Sequence, residues 1–361
     1  MKVVVKIGTS SITTSTGELD DPAVVKLCGE VADARAAGHE VVLVCSGAIA
    51  AGLPALGLQE RPGDIGTLQA IAAVGQPRLM ERIGAILGGK SLVAGQVLLT
   101  PHDFGYRPQY LHARETLRRL LDLGVVPVVN ENDTVADDEI RYGDNDRLAA
   151  LVSHLVSADV LVLLTDTPGL FTADPRLDAE ASLIEEIVEV DAALEAVAGG
   201  AGTARGSGGM ASKLAAAKIA AWSGVRAVIA AADTPGVVLA AVDGKPVGTV
   251  VKPRATRLSS RKLWIAFAIG ASGRVLVDDG AARALREQGR SLLPAGVRGV
   301  EGSFEAEDAV EVVTDSGGPF AKGLVRYSAG ALRSIAGRRT GDLPEGAPHE
   351  VIHRDDLVVL P

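Results

Sequence analysis

Val3-Val4-Val5-Lys6-Ile7-Gly8-Thr9-Ser10 is an apolar, β-branched run that breaks on a glycine turn. A run this short, with little polar alternation, suits a strand covered on both faces, the kind found in a mostly parallel sheet. The same shape recurs at Glu40 to Val44, Leu92 to Leu98, Val125 to Val129, Val160 to Leu164 and Val225 to Ile229. Helix-like stretches lie between: Pro22 to Ala37, Thr67 to Leu87, Pro108 to Leu123, Asn145 to Ser157 and Met210 to Ser223. This alternation predicts an α/β fold, an open αβα sandwich with a mostly parallel sheet. In such sheets ligands gather at the carboxyl ends of the strands. The Gly, Ser, Asn and Asp clusters of this chain follow its strands, where that rule puts a site.

The pattern changes after Val251. Lys252-Pro253-Arg254-Ala255-Thr256-Arg257 and Ser259-Ser260-Arg261-Lys262 form a basic, proline-marked connector. Beyond it, short strands are expected at Arg274 to Val277, Val297 to Val300, Ala309 to Val313 and Leu324 to Tyr327. Helices are expected near Ala281 to Gln288 and Ala329 to Ile335. The expected layout is a domain over 1–252, a linker over 253–270 and a small, mainly β domain over 271–353.

Composition narrows the function. Of 361 residues, 47% are apolar and only 3% aromatic, so the core is built from Ala, Val, Leu and Ile. A net charge of −9 argues against a chain whose main work is holding nucleic acid or an anionic membrane. It also requires any anionic substrate to find a locally positive cleft. Cys28 and Cys45 have no Cys or His at metal spacing, so no zinc motif is present and a reduced, intracellular state is expected. The sequence shows no basic-then-apolar leader and no apolar run of membrane length, and a cytoplasmic protein is expected. None of the six histidines is assigned a role.

Two lysines stand in glycine-rich settings far apart. Lys6 precedes the Gly8-Thr9-Ser10 turn, and Lys213 closes Gly206-Ser207-Gly208-Gly209-Met210-Ala211-Ser212-Lys213, which runs into an alanine-rich helix. Each setting can turn backbone N–H groups and one ammonium toward phosphate oxygens. Two such cradles suggest phosphoryl transfer, clamped from both sides. Gly84-Ala85-Ile86-Leu87-Gly88-Gly89-Lys90-Ser91 fits the phosphate-loop pattern G-x-x-x-x-G-K-[ST] by letter. That pattern needs a strand before it and a helix after it. Here the order is reversed, so the segment reads as a helix end.

Cys45-Ser46-Gly47-Ala48 follows the second strand and offers a hydroxyl and an unobstructed N–H, although alone it would be an ordinary helix cap. Asn130-Glu131-Asn132-Asp133 and Gly143-Asp144-Asn145-Asp146 alternate amides and carboxylates at a strand end, which a merely solvated loop does not require. An α-amino acid needs such a mixture, with a carboxylate for its ammonium and amide or hydroxyl donors for its carboxylates. Asp133 is the candidate for the ammonium, and Asn145 and Ser46 for carboxylate contacts. Thr165 and Asp166, ahead of the Pro168-Gly169 turn, are candidates for nucleotide ribose or base.

These blocks together, Val5 to Ser10, Ser46 to Ala48, Val129 to Asp133, Gly143 to Asp146, Leu164 to Asp166 and Gly208 to Lys213, closely resemble the glutamate 5-kinase branch of the amino-acid kinase family. Their order and spacing fit over residues 1 to about 252. The tail, Gly273 to Ala281 through Ser291 to Val297, looks like a PUA domain, a fold that usually binds RNA. The resemblance implies ATP-dependent phosphorylation of the γ-carboxylate of L-glutamate, the first step of proline synthesis. It implies Lys6, Lys213 and Asp146 as catalytic residues. Ser46, Gly47, Asn130, Asp133 and Asn145 would hold glutamate. Lys6, Thr165, Asp166, Ser207, Gly208, Gly209, Met210, Ala211, Ser212 and Lys213 would hold ATP, with Mg²⁺ carried mainly by the nucleotide. It further implies a homo-oligomer, a dimer or tetramer, with proline as feedback inhibitor and a transient contact with the downstream reductase. Thr100 to Tyr110 would be a regulatory and oligomer-contact loop. Other readings are an acetylglutamate or uridylate kinase of the same fold, or an RNA-binding regulator. The tail carries ten Lys/Arg against eleven Asp/Glu over residues 271–349, which lacks the basic footprint of an RNA binder.

Overall fold

The computed structural model describes residues 1–361 except 15, 136–144, 179, 201–208, 256, 316, 345 and 361. The chain divides into two compact units, Met1–Arg257 and Leu258–Pro361.

In the first unit the elements run β1 (Lys2–Ile7), α1 (Asp21–Ala36), β2 (Glu40–Cys45), α2 (Ala48–Gly52), α3 (Ile65–Gly88), β3 (Ala94–Leu99), α4 (Pro101–Gly105), α5 (Arg107–Asp122), β4 (Val126–Glu131), α6 (Asn145–Leu155), β5 (Val160–Thr165), β6 (Glu186–Ile187), α7 (Ala192–Gly200), α8 (Met210–Trp222), β7 (Arg226–Ala231), α9 (Val237–Val242) and β8 (Thr249–Val251). The eight strands form one sheet in the order β3-β4-β2-β1-β5-β7-β8-β6, parallel throughout except where β8 runs antiparallel to β7. The central strands are buried on both faces, which is why they read as continuous Val, Leu and Ile. Sequence patterning missed β6 and β8, which are too short to show a period.

Register aligns the strand ends. Ile7 pairs with Cys45 on one side and Leu164 on the other, and Val44 pairs with Val129. Gly8, Ser46, Asn130 and Thr165 therefore emerge at one edge of the sheet. Chain order turns around at β1 and β5, so the edge above them is the switch-point crevice of an open α/β sheet.

The helices are set by their caps. Asp20 accepts from Ala23 N–H at the start of α1, and Asp64 accepts from Thr67 N–H at 2.8 Å at the start of α3. Helices α2 and α3 cross at close range on glycines. A Cβ at Gly75 would lie 1.8 Å from Ala48 O, and one at Gly52 would lie 2.2 Å from Ile71 O. The phosphate-loop lookalike is the end of α3, followed by β3; the left-handed residue of that turn is Ser91 (φ 59°), not a glycine. Thr100 to Tyr110, expected as a loop, is instead α4 and the start of α5. The Asp103 carboxylate there accepts from both the N–H and the hydroxyl of Thr100. Cys28 and Cys45 are free and buried, and burial pushes their thiols up to about 11 and about 12. No helix among the described residues is long and apolar enough to cross a membrane.

The second unit contains α10 (Ser260–Leu263), β9 (Gly273–Val277), α11 (Asp279–Gln288), β10 (Val297–Gly302), β11 (Ala309–Thr314), β12 (Ala321–Leu324), α12 (Ala329–Ile335) and β13 (Leu357–Val359). Its sheet order is β10-β9-β11-β12-β13, around a core that includes Val275, Leu285, Val312, Leu332 and Ile352. Three expectations shift here. Ser260 to Ala268, inside the expected linker, is helical, with Leu263 and Ile265 buried. The strand expected over Leu324 to Tyr327 lies over Ala321–Leu324. Its Ala-Lys-Gly residues have little β propensity, and pairing with β11 and β13 sets it. The sheet also takes in β13, beyond the residue 353 at which the domain was expected to end.

Candidate active site

Asp146 is the centre of the site. It stands in the first turn of α6 and is fully buried, 0% exposed. Lys6, near the end of β1, places Nζ 2.5 Å from Oδ1 of Asp146. Lys213, in the first turn of α8, donates from Nζ to Oδ2 at 3.3 Å, and the Ser212 hydroxyl donates to the same oxygen at 2.7 Å. Burial alone would raise the Asp146 carboxyl. The two ammoniums and the Ser212 hydroxyl outweigh that and hold it below the usual carboxylate range. Burial moves Lys213 the other way, below the usual lysine range, and Asp146 only partly offsets this. Within this buried cluster two lysines face one carboxylate, with Asp166 near enough to act on Lys213 as well. Ammonium groups so placed favour an anion, and the attraction is worth more there than in water. Gly8 lies beside this cluster; a Cβ there would stand 3.6 Å from Lys6 Nζ, an ordinary contact.

A second polar group adjoins it. Asn145 donates from Nδ2 to Ser46 Oγ at 2.8 Å and to Asn130 Oδ1 at 3.2 Å. Asn130 in turn donates to Gln76 Oε1 at 2.8 Å. Gly47, at φ 108°, lets the chain turn sharply from β2 into α2 and leaves Ser46 partly exposed at the sheet edge. Asp133 lies just past β4, half-buried, and burial pushes its carboxyl up to about 6 against the lowering influence of Arg61. A carboxylate raised by burial gains from an incoming ammonium.

A cleft of about 410 Å³ opens at the ends of β1, β5 and β7, with Ile7, Ser11, Lys26, Thr165, Asp166 and Asp233 among its lining. The Thr165 hydroxyl donates to Asp166 Oδ1 at 3.1 Å. Glu30, buried behind Lys26, accepts from the N–H groups of Gly236 and Val238 and so ties α1 to the start of α9. Gly209 caps α8, with Met210 and Ala211 in its first turn. Ser207 and Gly208 lie outside the described residues, as do Gly143 and Asp144.

The structure thus gathers Lys6, Asp146, Ser212 and Lys213 into one cluster, and Ser46, Asn130 and Asn145 into another that shares the start of α6. Sequence reasoning passed over Gln76, Arg61 and the Lys26–Glu30 pair. A signal existed for Gln76: with Leu68, Ala72, Leu79 and Ile83 it falls on the buried stripe of α3, where a polar residue is out of place.

Among known proteins, the profile described as the Amino acid kinase family matches residues 1–231, and that of the PUA domain matches residues 273–345. The chain is similar to the glutamate 5-kinase of Deinococcus radiodurans, at 47% identity over 100% of both chains. It is similar to that of Moorella thermoacetica at 46% identity over 99% of this chain and 96% of the relative. The glutamate 5-kinase of Gloeobacter violaceus is 48% identical over 99% of each. With the Lys6–Asp146–Lys213 cluster at the switch point and matches of this extent, the chain belongs to the amino acid kinase family.

Proposed function

We propose that this protein is a glutamate 5-kinase, transferring the γ-phosphoryl group of ATP to the γ-carboxylate of L-glutamate. The observation that carries the reading is one buried carboxylate, Asp146, held by two ammoniums from opposite ends of the first unit. The nucleophile of this reaction is a carboxylate, ordinarily titrating near about 4.3 and so ionised at neutral pH. No general base is needed. The work is to bring two anions together and to neutralise charge on the transferring oxygens. Lys6 and Lys213 supply that charge, and Asp146 keeps both nitrogens aimed at one place. Ser46, Gly47, Asn130 and Asn145 hold the amino acid, with Asp133 on its ammonium. Thr165, Asp166 and the segment from Ser207 to Lys213 hold ATP.

Mg²⁺ enters with ATP as part of the substrate. Its ligands would come chiefly from phosphate oxygens and water. Proline competing at the amino-acid site, a homo-oligomeric state, a cytoplasmic location and transfer of the labile acyl phosphate to a reductase belong to the same reading. The test is ADP release with ATP and L-glutamate, N-acetylglutamate or UMP, with hydroxylamine trapping of the product. Hydroxamate formed with glutamate supports the reading; turnover only with UMP or N-acetylglutamate overturns it.

A further inference from the structure

The amino-acid side of the site hangs on a chain of amides whose direction is fixed by one backbone N–H. The N–H of Glu131 can only donate, so the Asn130 atom that meets it at 2.9 Å is the carbonyl oxygen Oδ1. The other end of that amide is then the NH₂ group, which donates to Gln76 Oε1 at 2.8 Å. Asn130 Oδ1 also accepts from Asn145 Nδ2 at 3.2 Å, so the Asn145 NH₂ group is the end that reaches Ser46 Oγ at 2.8 Å. Ser46 accepts there and keeps its own hydrogen to offer. The chain runs from buried Gln76, Asn130 and Asn145 to Ser46, its one partly exposed member.

Gln76 uses only half of its amide. Its Nε2 is buried and has no partner among the described residues. An unpaired buried donor is destabilising, and an unbranched apolar side chain of similar length would avoid that cost. Stability alone therefore does not account for a glutamine here, whereas its carbonyl has a definite task. Without it the NH₂ group of Asn130 loses its acceptor, and that amide is held only through Oδ1, by the Glu131 N–H and Asn145. The polarity set by Glu131 stays, but the aim of Asn145 and Ser46 loosens.

We propose that Gln76 is a positioning residue for substrate: with the Glu131 N–H setting the direction at one end of the Asn130 amide, the Gln76 carbonyl holds the other end in place, so that Ser46 is aimed to present a hydroxyl hydrogen, not a lone pair, to a substrate carboxylate. This rests on the reading of that site as the glutamate site. It assigns a functional role to α3, which contributes none of the residues expected from sequence.

The experiment compares full-length wild type, Gln76→Met and Gln76→Glu by steady-state ADP release and thermal unfolding. Gln76→Met removes the acceptor and the unpaired donor together. It is expected to raise the KM for glutamate roughly tenfold, with the KM for ATP within about twofold and a thermal midpoint no lower than wild type. Gln76→Glu keeps a carbonyl acceptor and is expected to hold the glutamate KM within about threefold of wild type. An unchanged glutamate KM in Gln76→Met overturns the inference. So does a joint rise of both KM values with a lowered midpoint, which marks a merely structural residue, or equal impairment of the two variants. Wild type that releases no ADP with glutamate removes the glutamate reading itself, and is told apart because it needs no substitution.

Discussion

Lys213 and Asp146 stand in the first turns of two different helices, and the ammonium of one donates to the carboxylate of the other at 3.3 Å. The second oxygen of that carboxylate belongs to Lys6, on the central strand β1. One buried acidic side chain thereby ties together the starts of α6 and α8 and the end of β1. The carboxylate holds both cations in place, and under the proposed function their positive charge is what an incoming phosphoryl group would meet.

In the proposed reaction, Lys213→Ala removes a donor to the transferring oxygens. The expected loss in kcat is on the order of 10² or more, as for one transition-state donor in other enzymes. Steady-state kinetics at saturating ATP and glutamate measures it. A near-normal kcat would take Lys213 out of the chemistry.

Asp146→Asn keeps the shape and removes the charge between two buried ammoniums. Breaking a buried pair from one side costs on the order of 3 kcal/mol, and kcat falls with it because the lysines repel. Asp146 titrates below its ordinary value in the folded state. Its contribution is therefore complete above the ordinary carboxylate value of about 4 and lost as pH falls through the lower, folded value. Urea unfolding should show wild type well above Asp146→Asn at pH 7, with the gap closing in strong acid. A gap independent of pH would mean that packing, not charge, is what the substitution removed.

Asp133 has the opposite sign. Burial raises its carboxyl to about 6, so its ionised form opposes folding at every pH above that and the penalty vanishes below about 4. Asp133→Asn should stabilise the substrate-free protein at pH 8 by on the order of 2 kcal/mol and match wild type at low pH. The same substitution should raise the glutamate KM and leave the ATP KM alone. In wild type the glutamate KM should climb as pH drops through about 6, and in Asp133→Asn that dependence should be absent. An effect confined to ATP would move Asp133 to the other substrate.

Gly75→Ala tests the helix crossing that carries Ser46 and Gln76. The added Cβ would meet Ala48 O at 1.8 Å and Gly52 N at 2.5 Å, both backbone atoms that cannot swing aside. A loss on the order of 3 kcal/mol is expected in the unfolding of the first unit, with a raised glutamate KM. An unchanged transition would show that α2 can move away from α3 at no cost.

Much of the fold was legible because its signals are local. Short, largely apolar runs marked all six long strands of the first unit, and Gly8, Ser46 and Asn130 at the ends of three of them marked the edge where polar groups gather. The short strands β6 and β8 carry no such period. Strand β12 is written in residues that rarely choose an extended form, and Gly323 serves there because a Cβ would strike Ile352 and the backbone of Asp356.

What the sequence by itself determined is the kind of elements, their order and the residue types brought to each strand end, since these depend on neighbours a few positions apart. Tertiary structure alone decided that Asp146 bonds both Lys6 and Lys213, that Asp133 is buried enough to titrate near about 6, and that Gln76 backs Asn130 from a helix assigned no function. Those facts depend on sheet register, on the approach of α2 to α3 and on exclusion of water. These arise only when segments far apart in the chain are packed against one another.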